Sequence, residues 1–282
     1  MRQLFEIIKV SRPGFWPTHI WFYVLPFAQQ DMFGSVAFWL GAVYVFFPMG
    51  LLAFGWNDLG DVDTDSVNER KDSWLFGARP DQATRKRLPW IIAATQAPFM
   101  IAFVVIAGWQ MLIWFAAFVA ANACYNTFGF KRIPWLDLLN QIGYLLVFVM
   151  ASWLCHVSQL NTPAMIYSAL FAMHSHLFGQ IMDIDEDREG GRNTTAVAIG
   201  ITPGKFLLAG LLAAEAVIAF VFFQSALAGV FSVIACVFFL ADAMLGPKKY
   251  PLWFVTAFFI GWNGVVIATI HFIWRYGIFI QR

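Results

Sequence analysis

Apolar stretches long enough to cross a bilayer as helices, about 17–25 residues each, recur along almost the whole of this chain. They fall at 14–30, 35–56, 88–107, 109–127, 134–155, 162–182, 205–223, 225–243 and 251–274. The expected fold is therefore all-α, an integral membrane protein with about nine transmembrane helices. Pro17 and Pro26 kink or break the first stretch near its ends, so eight or ten spans are the alternatives. Composition leaves little room for a water-soluble domain: 60% of residues are hydrophobic, 12% are charged, and 31 Phe and 13 Trp are spread through the apolar runs. The 282 residues read as a single membrane-embedded domain. Residues 1–13 mix charge and hydrophobicity, as an amphipathic interfacial helix does, and lack the pattern of a cleavable signal peptide. Cys124, Cys155 and Cys236 lie in apolar runs without metal-type spacing and read as packing residues.

Charge placement tests the span count independently. With nine spans, all but Arg275 and Arg282 of the 18 Lys and Arg residues fall on one membrane face. Lys and Arg are enriched in cytoplasmic loops, so the amino terminus and the large connections 57–87 and 183–204 are expected in the cytoplasm and the carboxyl terminus outside. The basic residues follow topology rather than forming a patch, and nothing suggests nucleic-acid binding.

Most acidic residues sit in those two connections, where helices leave the membrane. The first cluster runs Asn57, Asp58, Leu59, Gly60, Asp61, Val62, Asp63, Thr64, Asp65; on a continuous helix Asp58, Asp61 and Asp65 share one face. The second, Asp183 to Asp187, places its end residues one turn apart. Like charges at this spacing repel, so two carboxylate ladders at membrane depth call for a cation. Mg2+ suits them: it prefers carboxylate oxygen and leaves positions for phosphate, whereas the His and thiolate ligands of a zinc site are absent. Calcium is second, since Asp61 to Asp72 lacks an EF-hand pattern. A solvated acidic helix end is the plain alternative for either cluster alone. Asp63 and Asp185 point off the shared faces, so their replacement by Ala should matter less than that of Asp61 or Asp183.

Asn57-Asp58-x-x-Asp61-x-x-x-Asp65 and Asp183-x-x-x-Asp187 resemble the paired signature motifs of the UbiA superfamily of intramembrane prenyltransferases. Arg12-Pro13 before the first span, Tyr125 with Lys131, Pro134 and Asp137 after the fourth, and Gly191 with Thr194 after the second motif extend the likeness over nearly the whole chain. Asn68-Glu69-Arg70-Lys71, where many members carry Arg-Pro-Leu, and His176 seven residues before the second motif look more like the lycopene elongase branch. The resemblance implies nine helices around a central cavity. It implies Mg2+-dependent transfer of a prenyl group from an allylic isoprenyl diphosphate to a hydrophobic acceptor such as a quinone precursor, carotenoid or other lipid, with release of diphosphate. Two Mg2+ ions would be held by Asn57, Asp58, Asp61, Asp65, Asp183 and Asp187. Arg70, Lys71, Lys131 and Arg192 would stabilise the leaving diphosphate, with Tyr125 beside it.

Lys131 and Arg132 read equally well as topology anchors, and Tyr125 as an interfacial aromatic. Polar residues within the spans, among them His174, Gln141, Asn140 and Asn263, are expected to bond between helices; His176 is a candidate to meet the acceptor or take its proton, and Glu215 has no assigned role. Two other functions use the same residues. A UbiA-type terpene cyclase would ionise the diphosphate without an acceptor. A cation carrier would place its ion site near the midplane rather than at one face.

Overall fold

The computed structural model describes residues 2–277 and 279, and these are helical with irregular connections. An amphipathic α1 (Arg2–Val10) lies across α4 (Pro48–Gly60), burying Val10 against Leu51 and Leu88 while Leu4 and Phe5 stay exposed. Between them come α2 (Trp16–Val24) and α3 (Val36–Phe46). Pro48 opens α4 and bends it away from α3, because Pro lacks an N–H and tolerates only the first helical turn. A short α5 (Val62–Val67) follows, then α6 (Gln82–Ala107) and α7 (Gln110–Asn126). The remaining helices are α8 (Leu136–Leu139), α9 (Leu146–Cys155), α10 (Thr162–Met182), α11 (Ile184–Glu189), α12 (Thr195–Ile199), α13 (Ile201–Val221), α14 (Ala226–Leu245) and α15 (Leu252–Tyr276).

Among the described residues, seven helical stretches are long and apolar enough to span a membrane. They are Val36–Gly60, Gln82–Ala107, Gln110–Arg132, Leu136–Cys155, Ile201–Val221, Ala226–Leu245 and Leu252–Tyr276, and they reproduce seven of the nine predicted spans. The other two differ for physical reasons. The 14–30 stretch yields only the nine-residue α2, closed by 3-10 turns at Pro13–Phe15 and Leu25–Phe27, each containing a Pro. The 162–182 stretch is one unbroken helix of 21 residues, but Ser168, His174, Ser175, His176 and Gln180 lower its hydropathy. Thr18, His19 and Phe22 of α2, and His174, Ser175, His176 and Gln180 of α10, line an internal cavity, so the polar residues of both helices are turned away from lipid.

The lipid-facing surface is apolar, with Trp90, Val105, Met244 and Leu245 each more than 70% exposed. Inside, rings pack edge to face: Tyr44 is fully buried among Phe103, Trp114 and Phe115, and Trp21 stacks on Phe171. A second apolar cluster joins Leu177 and Ile181 of α10 to Leu208 and Leu212 of α13 and to Phe239 of α14. Cys124, Cys155 and Cys236 are free thiols.

Candidate active site

Both acidic motifs sit where a long helix ends and a short one restarts. Asp61, at φ −110° and ψ 20°, separates α4 from α5; Asp183, at φ −104° and ψ 12°, separates α10 from α11. Each break is closed by the same bond, Asp65 N–H to the Asp61 carbonyl and Asp187 N–H to the Asp183 carbonyl, both 2.8 Å. The continuous helix expected through the first motif is therefore corrected. Bending at Asp61 relieves the like-charge crowding of a straight ladder. Asp58 turns towards Arg12 and Lys71, while Asp61 turns towards Lys131 and Arg192. The Asp63 side chain lies outside the described residues. Asp185, 43% exposed, faces the surface near Arg188 and Lys249, as its off-face position predicted.

Each carboxylate holds a cation. Arg12 Nη2 lies 2.9 Å and Lys71 Nζ 2.7 Å from Asp58, and Lys71 also bridges to Asp65 at 2.8 Å. Lys131 Nζ, buried, lies 2.6 Å from Asp61 and donates to Asn57 and Asn126 at 3.2 Å. Arg192 links the two motifs, reaching Asp61 at 2.5 Å and Asp187 at 3.2 Å. Arg70 pairs with Asp183, which also accepts from Asn68 Nδ2 at 3.3 Å. Burial pushes the Asp187 carboxyl up to about 6 despite Arg192, whereas at Asp61 burial is outweighed by Arg192 and Lys131, which hold it below the ordinary range. Burial also lowers Arg70, to about 10.

These groups form the polar mouth of a cavity of about 740 Å³. Asn57, Asp61, Asp65, Arg70, Lys71, Tyr125, Lys131, His176, Asp183, Asp187 and Arg192 all line it; Asp58 sits just behind, buried against its cations. Its depth is walled by aromatic and aliphatic side chains, including Phe22, Phe54, Phe118, Phe171, Phe258 and Trp262. The Tyr125 hydroxyl and His176 Nε2 are 3.3 Å apart on that wall. A loop over the mouth is held down by Gly14, where a side-chain carbon would collide with the Leu75 carbonyl oxygen, and by Gly77, which at φ +103° packs on Arg12.

Sequence reasoning assigned no role to Arg12, Asn68, Asn126 or Glu186, all of which meet the site. Arg12 was visible only as half of Arg12-Pro13; its own left-handed φ of 51° aims it at Asp58 from 46 residues away. Among the described residues no three His, Cys, Asp or Glu side chains converge tightly enough to enclose a metal ion. The donor set nevertheless fits a hard cation: it is all oxygen, and Asp58 Oδ2 and Glu186 Oε2 are buried without a hydrogen-bond partner.

Asp137, fully buried, fixes the frame around this mouth. It accepts from Gln180 Nε2 (2.6 Å), from the Thr195 N–H (2.6 Å) and from Thr195 Oγ1 (2.5 Å), so one carboxylate ties α8 to α10 and α12. Asp137→Ala would strand those donors at about 1–3 kcal/mol each. We expect the variant to lose about 3 kcal/mol of stability or more, read as a melting temperature several degrees lower in detergent. An unchanged melting temperature would show that the staple is not needed.

A cation-paired carboxylate mouth thus opens onto an aromatic-walled cavity carried on membrane helices. Residues 15–252 match the UbiA prenyltransferase family model, and the chain belongs to that family, a multi-pass integral membrane prenyltransferase. It is similar to the lycopene elongase/hydratase of Corynebacterium glutamicum, 25% identical over 71% of each chain. It is likewise similar to that of Haloferax volcanii, 30% identical over 70% of this chain and 66% of the relative. In fold it matches a UbiA homolog from Archaeoglobus fulgidus solved with DMAPP and Mg2+, with a TM-score of 0.67, 16% identity, and coverage of 93% of this chain and 99% of that one. The same homolog with GPP and Mg2+ gives a TM-score of 0.65 at 17% identity.

Proposed function

We propose that this protein transfers a short prenyl group from an allylic isoprenyl diphosphate to a carotenoid-type polyene such as lycopene, releasing diphosphate. The carrying observation is the charge pattern at the cavity mouth: Asp58, Asp61, Asp65, Asp183 and Asp187 are each engaged by one or more of Arg12, Arg70, Lys71, Lys131 and Arg192. That arrangement suits a site that must receive divalent cations and a polyanion together. Asn57 and the five aspartates would hold two Mg2+ ions, which would supply neutralisation of the leaving diphosphate. The cations now paired with the carboxylates would then face the diphosphate oxygens, and Lys131 and Arg192 would stabilise charge growing there as the carbon–oxygen bond breaks. Tyr125 and His176 lie on the wall below the mouth. The aromatic wall keeps water from the allylic cation and presents ring faces to it. A polyene acceptor is favoured because the cavity below the mouth is walled mainly by aromatic and aliphatic side chains, and because relatives along two thirds of the chain are lycopene elongase/hydratases. On this reading residues 1–282 form one catalytic domain, with the amino terminus and the mouth cytoplasmic and the carboxyl terminus outside.

Purified protein in liposomes, given labelled dimethylallyl or geranyl diphosphate with lycopene and Mg2+, is expected to form a prenylated carotenoid. Label released equally without acceptor, as a cyclic or linear hydrocarbon, would support the cyclase instead. Label confined to unreacted donor would refute both.

A further inference from the structure

We infer that His174, backed by Glu215, takes the proton released when the acceptor is alkylated, an inference that rests on the prenyl-transfer reading above. His174, in α10, lines the cavity; Glu215, in α13, lies behind that wall and outside the lining. Both side chains are buried, and His174 Nδ1 is 2.5 Å from Glu215 Oε1. An ionised Glu215 can only accept a hydrogen bond, and in that state Nδ1 carries the hydrogen. The Nε2 lone pair is then left outside that bond, on a side chain that lines the cavity. Among the described residues His174 makes no other hydrogen bond.

Position supports a chemical role. His174 precedes Asp183 by nine residues of helix, about 14 Å at 1.5 Å per residue, so it sits in the apolar depth rather than at the charged mouth. Its ring meets Phe171 and Trp262 edge to face, at 5.2 and 6.0 Å between centroids. An ionisable pair inside a membrane helix is costly, and α10 and α13 are already joined by Leu177, Ile181, Leu208 and Leu212. Apolar side chains would therefore serve a purely structural role as well. Tyr167, a neutral group, also lies near Glu215. His176, by contrast, spends Nε2 on the Tyr125 hydroxyl and has no carboxylate hydrogen bond among the described residues.

In the assigned step the allylic carbon–oxygen bond of the donor breaks, its electron pair leaving with diphosphate. The π pair of an acceptor C=C bond forms the new carbon–carbon bond and leaves a carbocation on the acceptor. His174 Nε2 removes a proton from the adjacent carbon, and the C–H electron pair closes a new C=C bond. Glu215, the positioning residue, holds the imidazolium until it returns its proton to water as product leaves.

The deciding measurement is prenylated olefin formed per diphosphate released, a ratio that does not depend on how much of a variant folds. Wild type, His174→Gln, Glu215→Gln and His176→Gln are compared in liposomes with labelled dimethylallyl diphosphate, lycopene and Mg2+. His174→Gln and Glu215→Gln are each expected to lower the ratio by about tenfold or more, the difference appearing as hydrated carotenoid or dimethylallyl alcohol while diphosphate is still released. An unchanged ratio in both overturns the inference, as does a fall seen only in His176→Gln. Loss of diphosphate release itself in both variants also overturns it, because this base acts after ionisation. A wild-type protein that makes no prenylated lycopene would instead refute the reading on which the inference stands.

Discussion

Asp61→Ala and Asp183→Ala are each expected to lower prenyl transfer by about 10³-fold or more, whereas Asp185→Ala should stay within about threefold of wild type. The contrast follows from the hinge geometry. Asp61 and Asp183 are the residues at which the helices break, they face the cavity mouth, and each holds a cation. Asp185 lies on the outer side of α11 near Arg188 and Lys249. Asp61→Ala also leaves Lys131 and Arg192 short of their shared carboxylate, and breaking a buried pair costs about 3–5 kcal/mol. Asp61→Asn keeps the shape, so activity of both variants is read beside their melting temperatures. Equal losses for Asp183→Ala and Asp185→Ala at matched stability would refute the assignment of the motif faces.

Withdrawing divalent metal with EDTA is expected to stop turnover by at least about 10³-fold, reversibly, while the protein stays folded. The second half is the less obvious. Five carboxylates at one mouth would repel one another if bare, but here each is countered by Arg or Lys within the chain. A metal present at a hundred times its Kd adds only about 2.7 kcal/mol to stability. Melting curves with and without EDTA should differ by several degrees, and adding Mg2+ should restore activity. Aggregation on chelation would mean that the cations do not balance the site. Full activity in EDTA would mean that metal plays no part.

The helical plan and the two motifs were legible in the sequence because lipid imposes a length and an apolarity that show as unbroken runs. Of the two stretches that departed, 14–30 is cut short by turns at Pro13 and Pro26, and 162–182 carries the polar residues His174, Ser175, His176 and Gln180 to the cavity. The breaks at Asp61 and Asp183 were not legible. Nothing in Gly60-Asp61-Val62 stops a helix as Pro would, and the bend answers to cations that arrive from Arg12, Lys131 and Arg192. Gly60 and the hinge carboxylate are local, but those partners lie up to 131 residues away in the chain. The His174–Glu215 pair was hidden for the same reason: 41 residues and a helix turnaround separate its members, and a lone Glu in an apolar run says only that some partner exists.

The ion pairs at the cavity mouth also set how ligands cooperate. With Asp61 shared by Lys131 and Arg192, a metal ion that takes the carboxylate loosens two cations, and a polyanion that takes those cations loosens the carboxylate. Each ligand then removes part of the cost of admitting the other, and thermodynamic reciprocity requires the gain to be equal in both directions. On the proposed function the site favours neither bare metal nor bare diphosphate; it fills as a set.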